Sequence, residues 1–243
     1  MPEIVALPVG EFRFADDEPH AGEVGVVVAY AVRHESGVLL FDTGFGFGSA
    51  ELDARYRPRS RSVVDALAEV GIVSAELKAI VNCHLHVDHA GQNGAFPGVP
   101  IHVQATEWEV AHTTEHTILE WIDAPGTTYR AIDGDHDLAD GIRIIATPGH
   151  TAGHQSLVVT TEDGVEILAG QAVYSAGEWT GVPDAREGRS RAADQATYDR
   201  SVARLRALDP VRVWFAHDAT VWSRATTDPT ADRGAPAILP EPC

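Results

Sequence analysis

In the run Cys83-His84-Leu85-His86-Val87-Asp88-His89-Ala90-Gly91, three imidazoles and one carboxylate fall within six consecutive residues. Neutral imidazole is a good ligand for zinc and its neighbours, and carboxylate is the harder partner for the same ions. His84 and His86 are two apart, so in extended backbone they point to one side and can grip one metal. Asp88 and His89 come next, and a bend after His86 can aim them at a second metal beside the first. The bland alternative is a solvated histidine-rich loop in a chain with 12 histidines. Fixed offsets at a strand end favour the metal site.

The elements around this run must place it. Residues 79–82 read as the end of a short buried strand, and residues 91–98, with Gly, Gln, Asn and Pro, read as a loop. The cluster therefore sits where a strand stops and the backbone turns. Upstream, residues 4–9, 26–32 and 37–41 read as strands, the second covered on both faces. Asp42, at the end of the third, is either a turn former or an acid that orients metal ligands. Residues 44–48 alternate glycine with Phe45 and Phe47, which predicts a mobile loop with exposed aromatics, either a substrate lid or a plain loop. Residues 62–70 read as an amphipathic helix capped by Ser62 and stopped by Gly71.

Downstream, residues 101–104 read as a strand and 106–121 as a helix. His112 and His116 are four apart on that helix and are assigned to its surface or a pocket wall. Residues 142–146, 155–160, 165–169 and 211–215 read as strands, with a hairpin at Asp163-Gly164, and 192–208 as a helix. His150, Gln171 and His217 each follow one of these strands, as His84 follows its own. Strand ends on one edge of a sandwich converge, so a single site can collect them. Cys83 abuts His84, but strand alternation points it away, so it reads as a small buried residue and not a ligand. Two strand-rich stretches, each closed by a helix, suggest two sheets packed face to face with helices outside.

Composition narrows the function classes. Eighteen basic against 36 acidic residues leave a net charge of −18, which repels phosphate backbones and anionic lipid. No nucleic-acid or membrane partner is expected. With 44% hydrophobic residues the chain can bury a sizeable core, and two cysteines exclude a disulfide framework. The N-terminus lacks a signal-peptide pattern and no apolar run reaches membrane-spanning length, so the expectation is a cytoplasmic protein. One domain over residues 1–225 and an irregular tail over 226–243 are expected.

Taken together, His84-Leu85-His86-Val87-Asp88-His89, Thr147-Pro148-Gly149-His150-Thr151 and Asp42-Thr43-Gly44 resemble the signature of the metallo-β-lactamase fold superfamily. The run from Thr147 to Leu157, Tyr174 three residues after Gln171, and Phe215-Ala216-His217-Asp218 are more similar to its N-acyl-homoserine lactonase branch. The resemblance implies an αββα sandwich, with mixed sheets face to face and a metal pair, Zn2+ or another divalent ion, at one edge. It implies that His84, His86 and His150 hold the first metal and that Asp88, His89 and His217 hold the second. Where the family has a bridging aspartate, this chain has Gln171, whose amide offers one neutral oxygen. Either two metals bind, one more weakly, or a single metal occupies the all-histidine half. His154 has no ligand position in the family and is expected to orient its loop.

The implied reaction is ring opening of an acyl-homoserine lactone or related lactone by a metal-bound hydroxide. Tyr174 would support the oxyanion, and Asp88 would pass a proton to the leaving alkoxide. Phe45, Phe47 and Trp108 are candidates for the acyl groove. A thioesterase or phosphodiesterase on the same site, or a metal-holding protein that no longer hydrolyses, are the rivals. The partner is a small lactone or ester, and the chain is expected to be a monomer or homodimer.

Overall fold

The computed structural model describes residues 1–17, 21–114, 117–181 and 192–227. Among these, one seven-stranded and one six-stranded sheet form the centre of the molecule. The first holds β1 (Glu3–Arg13), β2 (Val24–His34), β3 (Gly37–Phe41), β4 (Arg59–Ser60), β5 (Leu77–Val81), β6 (Pro100–Gln104) and β7 (Thr128–Ile132), in the order β4-β1-β2-β3-β5-β6-β7. The second holds β8 (His136–Ala139), β9 (Ile142–Ala146), β10 (Gln155–Thr161), β11 (Gly164–Leu168), β12 (Arg212–Trp214) and β13 (Trp222–Ser223), in the order β13-β12-β11-β10-β9-β8. Both are mixed: β3, β5, β6 and β7 run parallel, as do β11 and β12, and the other pairs are antiparallel. The helices are α1 (Ala50–Tyr56), α2 (Val63–Glu69), α3 (Val87–Ala90), α4 (Ala105–Thr113), α5 (Leu119–Ile122), α6 (Ala176–Thr180) and α7 (Gln195–Ala207).

Strand alternation explains the layering. On β2, Val28, Tyr30 and Val32 face the second sheet and pack with Ile142, Ile144, Leu157 and Val159. Val27, Ala29 and Ala31 face the other way and pack with Val63, Ala66 and Leu67 of α2. On the far side of the second sheet, Ile145, Val158 and Ile167 are covered by Trp179 of α6 and Leu205 of α7. The layers are therefore helix, sheet, sheet, helix, and residues 26–32 of β2 are all apolar or aromatic because both faces of that stretch are covered. No helix of the described residues is long and apolar enough to cross a membrane.

Ser62 caps α2 by accepting from the Asp65 amide at 3.2 Å, and Gly71 leaves it at φ +75°. α7 begins at Gln195 and not at residue 192, because the Asp194 carboxylate accepts the Thr197 amide and fixes the start there. The helix expected over 106–121 is interrupted. α4 stops at Thr113, where the Thr113 and Thr114 hydroxyls bond back to the Glu109 and Val110 carbonyls, and α5 resumes at Leu119. His116 lies outside the described residues; His112 is held by the Trp108 carbonyl and Asp123. The expected irregular tail lies beyond the described residues from 228 onward.

The 44–48 segment also departs from expectation. Phe47 is exposed, but Phe45 is buried against Phe12 and Tyr56, and Gln92 Nε2 donates to its carbonyl at 2.9 Å. The aromatic ring, which the glycine spacing alone does not place, anchors the loop to the core.

Candidate metal centre

The site forms where β3, β5, β9 and β12 end. Asp42, one step past β3, takes a left-handed conformation (φ 63°) and donates its amide to the Val81 carbonyl at 2.9 Å. This turn brings its carboxylate under the β5 end: Oδ1 accepts from the Cys83 amide at 2.8 Å and Oδ2 lies 2.9 Å from His89 Nδ1. Asp42 is thus both of the things its sequence position allowed, a turn former and an orienting acid. Past β5 the chain leaves the strand, His86 is extended, and α3 begins at Val87, so Asp88 and His89 lie in its single turn.

The geometry brings the separated histidines together. His84 Nε2 lies 2.8 Å from His86 Nδ1, which lies 3.2 Å from His150 Nε2. Beside them His89 Nε2 is 3.2 Å from His217 Nε2, and Asp88 Oδ2 is 3.4 Å from His217 and 3.7 Å from His89. Within each triad the possible donor atoms all lie within 4.8 Å of one another. The rings of the two triads adjoin, with the His84 and His89 centroids 4.2 Å apart.

Three outward nitrogens are already tied. His89 Nδ1 faces Asp42, His217 Nδ1 donates to the Val26 carbonyl at 2.8 Å, and His84 Nδ1 faces the Cys83 thiol at 3.0 Å. The acceptors at Asp42 and Val26 leave the inward nitrogens of His89 and His217 as lone pairs, the arrangement metal-bound histidines require. Gln171 is buried; its backbone N–H donates to His154 Nε2 at 3.0 Å, while its Oε1 makes no hydrogen bond of good geometry and has His89 as its neighbour. A buried acceptor so poorly paired is costly unless a cation satisfies it. Two clustered sets of imidazole and carboxylate and a poorly paired oxygen fit a pair of divalent cations.

Electrostatics point the same way. Burial, reinforced by the neighbouring imidazoles, holds His84 well below the usual histidine range, and His154 likewise. Both are neutral and can offer a lone pair. Burial would raise Asp88, but the facing His89 and His217 outweigh it and lower its pKa, so it stays a carboxylate. For His89 burial is outweighed by Asp88 and Asp42, and its pKa rises.

His154 orients its loop, as expected. With Nε2 occupied by the Gln171 amide, its Nδ1–H goes to Thr147 Oγ1 at 2.9 Å, and the hydroxyl chain continues through Ser156 to the Ala169 carbonyl. The Cys83 thiol is buried but does not point away; it lies directly behind His84 and His89, because the chain has left its strand by then. Tyr174 stacks on His217 with centroids 5.0 Å apart. Trp108 lines a cavity of about 610 Å³ with Asp123, Pro125 and Tyr129.

Sequence reading missed two supports. Glu107, fully buried on α4, accepts from the Leu85 amide, the Thr151 hydroxyl and the Gly153 amide, joining the His84 and His150 loops. The Gln155 side-chain amide donates to the Asn82 and His102 carbonyls, and its backbone N–H donates to the Cys83 carbonyl. A polar residue heading an apolar strand was the available signal for Gln155; Glu107 sits on a helix like any surface acid.

Residues 22–217 match the family model described as the metallo-beta-lactamase superfamily. The chain belongs to this superfamily. Among curated relatives, an N-acyl homoserine lactonase from Bacillus sp is 36% identical over 154 residues, covering 58% of this chain and 61% of the relative. This metallo-beta-lactamase superfamily member thus spans less than two thirds of that relative's length in the match. The N-acyl homoserine lactonase AttM of Rhizobium johnstonii is 29% identical over 221 residues, covering 80% and 82%. Among solved structures, an N-acyl homoserine lactone hydrolase with N-hexanoyl-L-homoserine bound at its catalytic metal centre superposes with a TM-score of 0.75 at 30% identity, covering 88% of this chain and 92% of that one.

Proposed function

We propose that this protein is a metal-dependent hydrolase that opens the ring of N-acyl-homoserine lactones. The observation that carries the reading is the convergence of His84, His86 and His150 beside Asp88, His89 and His217, with ring nitrogens of each set facing one another and the outward nitrogens of His89 and His217 tied to acceptors. Similarity to lactonases, one of them with the opened product at its metal centre, supports the substrate class.

His84, His86 and His150 would hold one cation, and Asp88, His89 and His217 the other, with zinc the first choice for such donors. When bound, the pair would acidify water and polarise the lactone carbonyl. Gln171 would lend its Oε1 to one ion; lacking the charge of a carboxylate, it leaves that ion more weakly held, or leaves only the all-histidine position filled. Asp88, kept ionised by His89 and His217, accepts a proton during attack and hands it to the departing alkoxide. Tyr174, fixed by stacking on His217, donates its O–H to the carbonyl oxygen as negative charge develops. The acyl tail would lie along the apolar walls near Phe47 and Trp108. The net charge of −18 disfavours nucleic-acid and anionic-membrane partners, and the enzyme is taken as a cytoplasmic monomer or homodimer acting on a small ester.

The test is a substrate panel of acyl-homoserine lactones, thioesters and phosphodiesters on zinc-loaded protein whose metal content is measured. Ring opening that stops on chelation and returns with zinc is expected. Metal-loaded protein that hydrolyses only thioester or phosphodiester would move the reading to that rival. Metal-loaded protein that cleaves none of the three would make Gln171 the mark of a lost activity.

A further inference from the structure

Cys83 stands behind both histidine triads. Its Sγ lies 3.0 Å from Asp42 Oδ2, 3.0 Å from His84 Nδ1 and 3.2 Å from His89 Nδ1, and the residue is fully buried. A thiol has one S–H to give and lone pairs to receive, and Asp42 Oδ2 stands at donating distance from it. The Asp42 carboxylate is an acceptor, already taking the Cys83 amide on Oδ1. The S–H therefore points to Oδ2, and the sulfur lone pair is left facing His84. On the other side of Oδ2 stands His89 Nδ1, at 2.9 Å.

We propose that Cys83 is a positioning residue: it accepts His84 Nδ1–H and donates to Asp42 Oδ2, which also takes His89 Nδ1–H, so one buried chain sets the tautomers of both triads. His84 and His89 then each carry the outer proton and present an unprotonated Nε2 to the metal side. Without an acceptor at position 83, His84 is free to carry its proton on Nε2 instead, where it blocks a cation. His89 keeps Asp42, so the effect falls on the His84 triad. The inference rests on the metal-holding reading of these triads.

The test compares Cys83→Ala and Cys83→Val, which remove the acceptor, with Cys83→Ser, which keeps donor and acceptor. In metal-free protein, histidine ¹⁵N spectra are expected to show His84 as the Nδ1–H tautomer in the native chain and in Cys83→Ser, and mixed or reversed in the other two. Zinc titration against a chromophoric chelator is expected to show one binding step weakened about 10- to 100-fold in Cys83→Ala and Cys83→Val, and both steps near native in Cys83→Ser. Circular dichroism selects whichever of the two apolar variants is folded. Native His84 found as the Nε2–H tautomer, or a folded apolar variant with native tautomer and native zinc affinities, overturns the proposal. A native chain that takes up no zinc would instead sink the metal reading, and the metal-free spectra would still decide the role of Cys83.

Discussion

Replacing Glu107 with alanine isolates the strut between the two halves of the His84 triad. The carboxylate accepts from the Leu85 amide at 2.9 Å, the Thr151 hydroxyl at 2.6 Å and the Gly153 amide at 3.2 Å, all out of contact with water. Glu107→Ala strands two buried amides and a hydroxyl. An unpaired buried donor costs about 1–3 kcal/mol, and relief from burying a carboxylate returns part of the sum. A net loss of about 3 kcal/mol is expected in urea unfolding of the metal-free protein. The Leu85 and Thr151 segments flank His84, His86 and His150, so zinc affinity should fall about 10- to 100-fold as well. Glu107→Gln keeps one accepting oxygen and should fall between the two. A loss below about 1 kcal/mol with native zinc uptake would refute the assignment of Glu107 as the strut.

Gln171→Asp adds a charge where Oε1 is poorly paired beside His89, and should tighten the weaker metal by tenfold or more in chelator competition; abolished metal uptake would show that position 171 does not face the ions. Tyr174→Phe keeps the stacking on His217 but removes the hydroxyl, so kcat on a lactone should drop about 100-fold with KM little changed. Equal kcat would remove Tyr174 from the chemistry. Burial, then the charges of His136 and Arg130, hold His102 down to about 4 from 6.5. Below pH 6.5 the unfolded chain takes up a proton that the folded chain refuses, so this contribution is intact above pH 6.5 and is lost as pH falls toward 4. The urea midpoint should therefore fall more steeply between pH 6.5 and 4.5 in the native protein than in His102→Gln, and parallel curves would contradict it. Gly153→Ala, whose new Cβ would meet the Glu107 backbone nitrogen at 2.2 Å, should destabilise the fold and loosen the His150 loop; a native melting temperature would show that the two segments separate freely.

The sequence by itself determined most of the strands and which histidines and acids converge at the candidate site. Apolar runs bounded by Gly, Asp and Pro mark β2, β3, β5, β9, β10 and β11 because a strand's pattern is local. The histidines were legible because each stands just past such a run. Short or edge elements escaped: β7 alternates irregularly and is half exposed, and α1 has no buried residue, so neither leaves an apolar period to read. Tertiary structure alone decided which buried polar groups meet. Phe45 is a core residue because Phe12 and Tyr56 come to it from elsewhere in the chain, and Glu107 is a strut because α4 carries it between two loops. The Cys83 thiol turns toward Asp42 because β3 and β5 lie side by side, a pairing between residues about 40 positions apart that no local pattern encodes. Residue type fixes what chemistry a side chain can do; its partners are set by long-range packing.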